Sequence, residues 1–254
     1  MTRPFVLVQL SDLHVGAVWA SPDPVAGLEA AVRAVLDMPF RPDAVLVSGD
    51  LSDHGTDSEY EQVVDLLAPL AAPVYVVPGN HDDRRALHRH FGVPGAAGEP
   101  VQYSVDLGAM RLVVLDTTRP GEDPGALDEE RLAWLDAELS SGPALPTVVA
   151  MHHPPVETGI PTCDESGLPP ADRRGLAEVV LRHEHVRRLV AGHVHRAVYG
   201  QLAGRPVSTA PSTYVQLRLH FHTRDVALAE REPAGFAVHA LLDGEVVSHV
   251  QPFA

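Results

Sequence analysis

Short apolar runs recur along this chain, and most of them give out at an aspartate, an asparagine or a histidine. Phe5–Leu10 reads as a buried strand running into Ser11-Asp12-Leu13-His14; 43–48 reads as a second, ending at Gly49-Asp50. A third, 74–77, is followed by Pro78-Gly79-Asn80-His81-Asp82. Between them the period changes. Pro22, Asp23 and Pro24 set up a start for apolar residues at helical spacing over 25–38, stopped by Pro39. Thr56-Asp57-Ser58-Glu59 has the capping-box pattern and opens a helix to about Leu70. Strand, helix, strand, helix, strand predicts right-handed crossovers and a parallel sheet. The ligand site of such a sheet belongs at the carboxyl ends of its strands.

The middle of the chain changes character. Strands over 102–106 and 111–116 predict an antiparallel hairpin through Leu107-Gly108-Ala109. A Pro- and Gly-rich loop over 119–126 precedes Asp128, which caps a helix to about Leu139 with Leu132 and Leu135 facing inward. Strand 147–151 delivers His152-His153. The stretch 154–170 is too long for an ordinary connection and reads as a lid. A helix over 171–182 and a strand over 187–191 lead to Gly192-His193-Val194-His195. Beyond, antiparallel strands are expected, with turns at Ala203-Gly204 and Asp243-Gly244, the latter a type I′ signal. The expectation is one domain over residues 1–254, with 200–254 a mostly antiparallel C-terminal part. Two packed sheets flanked by helices would form it, and 52–56, Asp83 and the stretch after 154 would rim the site.

Composition narrows the chemistry. With 254 residues and 45% hydrophobic content the chain can bury a substantial core. A formal net charge of -15 argues against a nucleic-acid polymer as partner, which would need clustered basic side chains. There is no lysine, so a Walker-type phosphate loop is excluded, and any phosphate contact falls to Arg, His, backbone amides or a metal. Cys163 is the single cysteine, which rules out an intramolecular disulfide and a thiolate metal site; no role is assigned to it. No segment has the continuous apolar length of a membrane span, and Met1-Thr2-Arg3-Pro4 runs straight into a strand. A cytoplasmic protein without a membrane partner is expected, with a homodimer or higher homo-oligomer left open.

Asn80 is the only asparagine in the chain, and it stands beside a histidine and an aspartate. Pro-Gly-Asn is ordinary turn chemistry, and a solitary histidine is most often a core or surface imidazole. Against those readings stand five His/Asp clusters, each where an apolar run ends. Asp12, His14, Asp50, Asn80, His152, His193 and His195 offer oxygen and imidazole donors without a thiolate, which suits borderline divalent metals such as Mn, Fe, Zn or Co. One ion could not use them all. Two ions about 3.5–4 Å apart could, if one carboxylate bridged them, and Asp50 is the candidate bridge.

Asp-x-His, Gly-Asp, Gly-Asn-His-Asp, a histidine at a strand end and Gly-His-x-His, in this order, resemble the five blocks of the calcineurin-like metallophosphoesterases. The blocks span Asp12 to His195; metallo-β-lactamases and amidohydrolases also use His-x-His, but early rather than last. The resemblance implies an α/β fold, a four-layer α/β/β/α sandwich of two mixed sheets. It implies one metal held by Asp12, His14, Asp50 and His195, a second held by Asp50, Asn80, His152 and His193, divalent or mixed-valence, and His153 as the non-ligand neighbour. Glu232-Pro233-Ala234-Gly235-Phe236 and Ala210-Pro211-Ser212-Thr213 are similar to the branch of class III cyclic nucleotide phosphodiesterases and bacterial glycerophosphodiesterases.

The expected reaction is hydrolysis of a small phosphodiester by a hydroxide bridging the two metals. His81, beside a ligand but not needed as one, is the candidate proton donor to the departing alkoxide, with Asp82 orienting it. Asn80, His81, His153 and His222 are the candidate substrate contacts; for His222, alternation with His220 on an expected strand makes a surface position an equally good reading. A phosphomonoesterase or nuclease on the same site is the alternative. A non-catalytic metal-binding module is expected to lack one or more ligands, and the whole set is present.

Overall fold

The computed structural model of the chain describes residues 3–21, 23–224, 226, 228, 229 and 232–253, so Pro22 of the expected helix start, and Met1 and Thr2, lie outside the described residues. Strands β1 (Phe5–Leu10), β2 (Ala44–Val47) and β3 (Val74–Val76) lie side by side and parallel. The C-terminal hairpin of β10 (Gly235–Leu242) and β11 (Glu245–Pro252) adds antiparallel to the free side of β1 and completes a sheet in the order β11-β10-β1-β2-β3.

A second, six-stranded sheet takes β4 (Tyr103–Asp106), β5 (Arg111–Val114), β6 (Thr147–Ala150), β7 (Val186–Ala191), β8 (Tyr199–Leu202) and β9 (Arg205–Thr209), in the order β4-β5-β6-β7-β9-β8. β4 and β8 are antiparallel edges, and β9 runs parallel beside β7.

Side-chain alternation along the strands builds the layers. Leu112 and Val114 of β5, and Val148 and Ala150 of β6, join the first core on the side to which β1 turns Leu7 and Gln9, which is the seam between the sheets. Val113 and Val149 point the other way, into a second core with Leu135 and Leu139 of α4 (Glu129–Ser141) and Leu176, Val179 and Val180 of α6 (Pro170–Leu181). On the outer face of the first sheet lie α1 (Pro24–Leu36), burying Leu28, Ala31, Val32 and Val35, and α2 (Asp57–Leu67), burying Tyr60, Val63 and Leu67. Two mixed sheets sandwiched by helices are the α/β architecture that the motifs implied.

Local signals explain most boundaries. Asp23 caps α1 by accepting the Val25 amide, and Glu59 reaches back to the Thr56 amide at 3.2 Å. Asp128 caps α4 through the Arg131 amide. Three features depart from the pattern reading. α2 ends at Leu67, and the expected last turn is a 3-10 turn, Ala68–Leu70, because Pro69 has no amide to continue the ladder. Helix α3 (Arg84–Phe91) is a stretch of Arg and His that buries only Ala86 and Leu87, too few apolar positions to show a period. The stretch 154–170 contains α5 (Pro161–Glu165), whose Cys163, with Ile160, seats against Val194, so the expected lid is anchored beside the Gly-His-x-His turn.

A buried polar chain ties the C-terminal hairpin to the rest. Ser248 Oγ donates to His239 Nδ1 (2.6 Å), and His239 Nε2 donates to Gln9 Oε1 (2.9 Å). Gln9 Nε2 in turn donates to Ser48 Oγ (2.7 Å) and to the Ala191 carbonyl (2.9 Å). Burial, with Arg188 and His249 nearby, pushes the His239 imidazole down to about 3. Folded protein therefore holds His239 neutral while the unfolded chain takes up a proton as pH falls through about 6.5, so stability must drop on the acid side. Between pH 7 and pH 5 this one group is expected to remove about 2 kcal/mol. Denaturant titrations at both pH values should show a smaller drop for His239→Gln than for the parent; equal drops would refute the assignment.

Candidate metal centre

Every metal-ligand candidate read from the sequence sits just past the carboxyl end of a strand, and the two sheets bring these ends together. Asp12 and His14 follow β1, Asp50 follows β2, and Asn80 and His81 follow β3; His152 follows β6, and His193 and His195 follow β7. The chain bends sharply to aim them. Asp12, His14, Asp50, His193 and His195 all have positive φ, between 46° and 70°, a conformation that costs energy for residues with a Cβ and clusters where function demands it. Glycine fits the close approaches. A Cβ at Gly79 would lie 2.1 Å from Asp50 Oδ1, and one at Gly49 would lie 2.2 Å from His152 Nδ1.

The ring nitrogens show what kind of group fits between them. His14 Nδ1 donates to Asp53 Oδ1 (2.8 Å), and His195 Nδ1 donates to the Val215 carbonyl (2.9 Å). Their Nε2 atoms then lie 3.0 Å apart. Asp12 Oδ1 is 3.7 Å from His195 Nε2. His152 Nδ1 likewise donates to the Ser48 carbonyl (2.9 Å), which turns its Nε2 to Asn80 Oδ1 at 3.0 Å and Asp50 Oδ2 at 3.4 Å. His193 Nδ1 is 3.2 Å from the same Asn80 oxygen. Imidazole nitrogens and side-chain oxygens that converge in this way, with carboxylates among them, form a cradle, a donor set that a cation fits. Asp50 lies between the halves, its Oδ2 also 3.4 Å from His14 Nε2.

Electrostatics agree. Burial alone would raise the Asp50 carboxyl, but His152 and His14 hold it well below the usual carboxylate range. Burial disfavours a charged His152, yet the Asp50 carboxylate lifts it to about 9, so the field of this pocket attracts positive charge. Burial, with its histidine neighbours, holds His193 far below its ordinary value and so as a neutral donor.

A family model for the calcineurin-like phosphoesterases matches residues 5–197. The chain belongs to that family. A probable cyclic nucleotide phosphodiesterase of Rhodococcus erythropolis is 33% identical, covering 82% of this chain and 70% of its own length. A probable glycerophosphodiester phosphodiesterase GpdQ of Arcobacter nitrofigilis is 31% identical, over 92% of this chain and 88% of its own. A dimetal phosphatase from Danio rerio shares the fold at a TM-score of 0.71, with 16% identity and both chains covered to 100%. The chain is thus a hydrolase of the metallophosphoesterase family with phosphodiesterase relatives, and its His/Asp clusters are candidate sites for that family's divalent metals.

Within this phosphoesterase, three expected roles change. Asp82 does not touch His81: its carboxylate accepts the amides of Gly79 (2.8 Å), Leu51 (3.1 Å) and Ser52 (3.3 Å) and the Tyr60 hydroxyl (2.9 Å). Asp82 is a strut between two ligand-bearing loops, and burial together with the Asp50 charge pushes it up to about 6. The residue that orients His81 is Asp53, whose carbonyl accepts His81 Nδ1–H at 2.9 Å while its carboxylate holds His14 and accepts Trp19 Nε1–H at 3.1 Å.

Asp53 went unread because it does not end an apolar run; its signal was its place three residues past Asp50. His153 is fully buried, Nε2 donating to the Asp123 carbonyl (3.0 Å) and Nδ1 accepting from Thr117 Oγ1 (2.8 Å), so neither nitrogen is free for substrate or metal. Burial and His152 push it down to about 3. His222 is exposed in an irregular stretch and not on a strand, so its expected strand placement changes while the surface position weighed for it fits.

The two segments similar to the phosphodiesterase branch meet at the centre. The Gly235 amide donates to the Ser212 carbonyl (3.2 Å), and Ser212 Oγ donates to the Asp12 carbonyl (2.7 Å). Ser166, from the anchored stretch after β6, places its hydroxyl 2.8 Å from His193 Nε2.

Proposed function

We propose that this protein hydrolyses small phosphodiesters at a binuclear centre. Asp12, His14, Asp50 and His195 would hold one ion, and Asp50, Asn80, His152 and His193 the other, drawn from Mn, Fe, Zn or Co. The observation that carries the proposal is the position of Asp50 Oδ2, 3.4 Å from His14 on one side and 3.4 Å from His152 on the other. Two such ions supply an activated water near neutral pH and neutralise the phosphoryl oxygens.

The chain's own residues do the rest. His81, held through Nδ1, brings a ring nitrogen within 4.8 Å of donor atoms of His14 and Asp50. A cavity of about 390 Å³ opens beside it, lined by Asn80, His81, His54 and Arg84. Arg84 is fixed there by Asp116 at 2.8 Å and by the Thr118 carbonyl at 3.0 Å, in a wall that also holds Arg85, Arg119, Asp82 and Asp83. A larger cavity, about 810 Å³, lies past Tyr214 and contains none of the ligand side chains.

Cyclic nucleotides and glycerophosphodiesters are the substrate classes that the relatives' names suggest. Among the described residues no helix is long and apolar enough to cross a membrane. A cytoplasmic location, with self-assembly left open, belongs to the same proposal. Bis(p-nitrophenyl) phosphate is expected to be turned over with higher kcat/KM than p-nitrophenyl phosphate, because the site leaves room for an ester arm beyond His81 and offers no lysine to pair the monoester's extra charge. Preference for the monoester would replace this reading with a phosphomonoesterase on the same ligands.

A further inference from the structure

Trp19 is 45% exposed, as are Phe40, Tyr199 and Phe221 to 37%, 61% and 56%, but of these four rings it is the one that meets candidate ligand histidines. Exposure does not leave it loose. Its Nε1–H donates to Asp53 Oδ1 at 3.1 Å, and its ring meets His14 edge-on, with centroids 5.4 Å apart and planes at 85°. Tyr214 meets it edge-on as well, at 5.0 Å and 65°. The Tyr214 hydroxyl donates to the Ala20 carbonyl (2.7 Å) and accepts from the Ala20 amide (3.1 Å), which clamps the loop carrying the tryptophan. His195 lies 6.3 Å away, tilted by 41°. Among the described residues no ring stacks in parallel on Trp19.

A rigid indole that is nearly half exposed, beside two of the candidate ligand histidines, leaves an apolar face open to solvent at the edge of the cradle. What such a surface accommodates is a second flat ring in offset-stacked contact. A purine or pyrimidine has that shape, and stacking on an aromatic side chain is tolerant of base identity. Glycerol and ethanolamine arms have no π face and would gain little.

We propose that Trp19 is the platform for a nucleobase on one ester arm of the substrate, so that the preferred class is a nucleoside phosphodiester, such as a 3′,5′-cyclic nucleotide, rather than a glycerophosphodiester. This rests on the phosphodiesterase reading for the reaction, but the binding contact can be measured apart from it.

The test uses the full chain loaded with Mn2+. Calorimetric binding of 5′-AMP and of sn-glycerol 3-phosphate is compared in the parent, Trp19→Ala and Trp19→Phe, together with kcat/KM for 3′,5′-cyclic AMP and for glycerophosphoethanolamine. Trp19→Ala is expected to weaken 5′-AMP binding and cyclic AMP turnover by about 10- to 100-fold, mainly through KM, and to change the glycerol ligands by less than about threefold. Trp19→Phe, which keeps a ring and loses the N–H to Asp53, is expected to recover most of the nucleotide effect. Equal losses for nucleotide and glycerol ligands would overturn the platform and leave Trp19 as a support for Asp53 and His14; so would Trp19→Phe behaving like Trp19→Ala, or unchanged 5′-AMP binding in Trp19→Ala. If no diester is hydrolysed while 5′-AMP binding still depends on Trp19, the platform stands and the phosphodiesterase reading falls.

Discussion

Asp50→Ala is expected to abolish hydrolysis and to remove more than one equivalent of bound metal. The reason is position. One Asp50 oxygen is 3.4 Å from both His14 and His152, and the other accepts the His81 amide at 3.0 Å, so a single side chain serves both halves of the cradle and the loop that carries His81. Removing an outer partner of a metal ligand typically costs about 10- to 100-fold in affinity, and removing a shared ligand should exceed that at both sites. The fold should survive, since His152, without the carboxylate that lifts it to about 9, can sit neutral with its Nδ1–H still on the Ser48 carbonyl. Asn80→Ala is the contrasting variant: the Asn80 oxygen lies 3.0 Å from His152 and 3.2 Å from His193, both on one half of the cradle, and its loss should loosen one ion. Elemental analysis after dialysis decides between them, and two full equivalents retained by Asp50→Ala would end the bridging assignment.

That such a variant can be designed at all reflects which features this chain writes locally. Period-2 and period-3.6 patterns place β1, β2, α1 and α2, and each candidate ligand follows an apolar run, so the side chains that the fold brings together were legible residue by residue. Relations across the fold were not. Asp82 and Asp53 are both aspartates close to a ligand in sequence, and adjacency to His81 favoured the wrong one; only the packing of the β2 loop against the β3 loop shows Asp82 facing the amides and Tyr60 while Asp53 meets the imidazoles. His153 was open as a substrate contact for the same reason, because the partners that satisfy it, Thr117 and Asp123, come from the loop after β5. Polar α3 was missed because it docks on α2 through two small apolar contacts and the Tyr60 hydroxyl, which accepts its N-cap amide at 2.8 Å. Trp19 carries no motif, and its meaning lies entirely in what surrounds it.

His81→Ala is expected to keep both metals and the fold while losing about 10²- to 10⁴-fold in kcat on alkyl phosphodiesters, the usual range for a proton donor. Its geometry sets it apart from the ligands. The side chain is 37% exposed, its Nδ1–H is taken by the Asp53 carbonyl at 2.9 Å, and its ring meets His14 edge-on at 4.8 Å, which leaves one nitrogen for the cavity side. An alkoxide leaves poorly without a proton, whereas p-nitrophenolate needs none, so the loss should shrink with bis(p-nitrophenyl) phosphate. Asp53→Asn should reproduce part of the defect by loosening His14 and Trp19, but with weaker metal binding, because His14 is itself a ligand candidate. Steady-state kinetics on both substrate types, with metal content measured on the same samples, separate these cases. Equal relative losses on alkyl and p-nitrophenyl esters would reassign His81 to electrostatic support of the phosphoryl group. Loss of a metal equivalent in His81→Ala would instead make it a ligand alongside His14 and Asp50, with which it shares a common space.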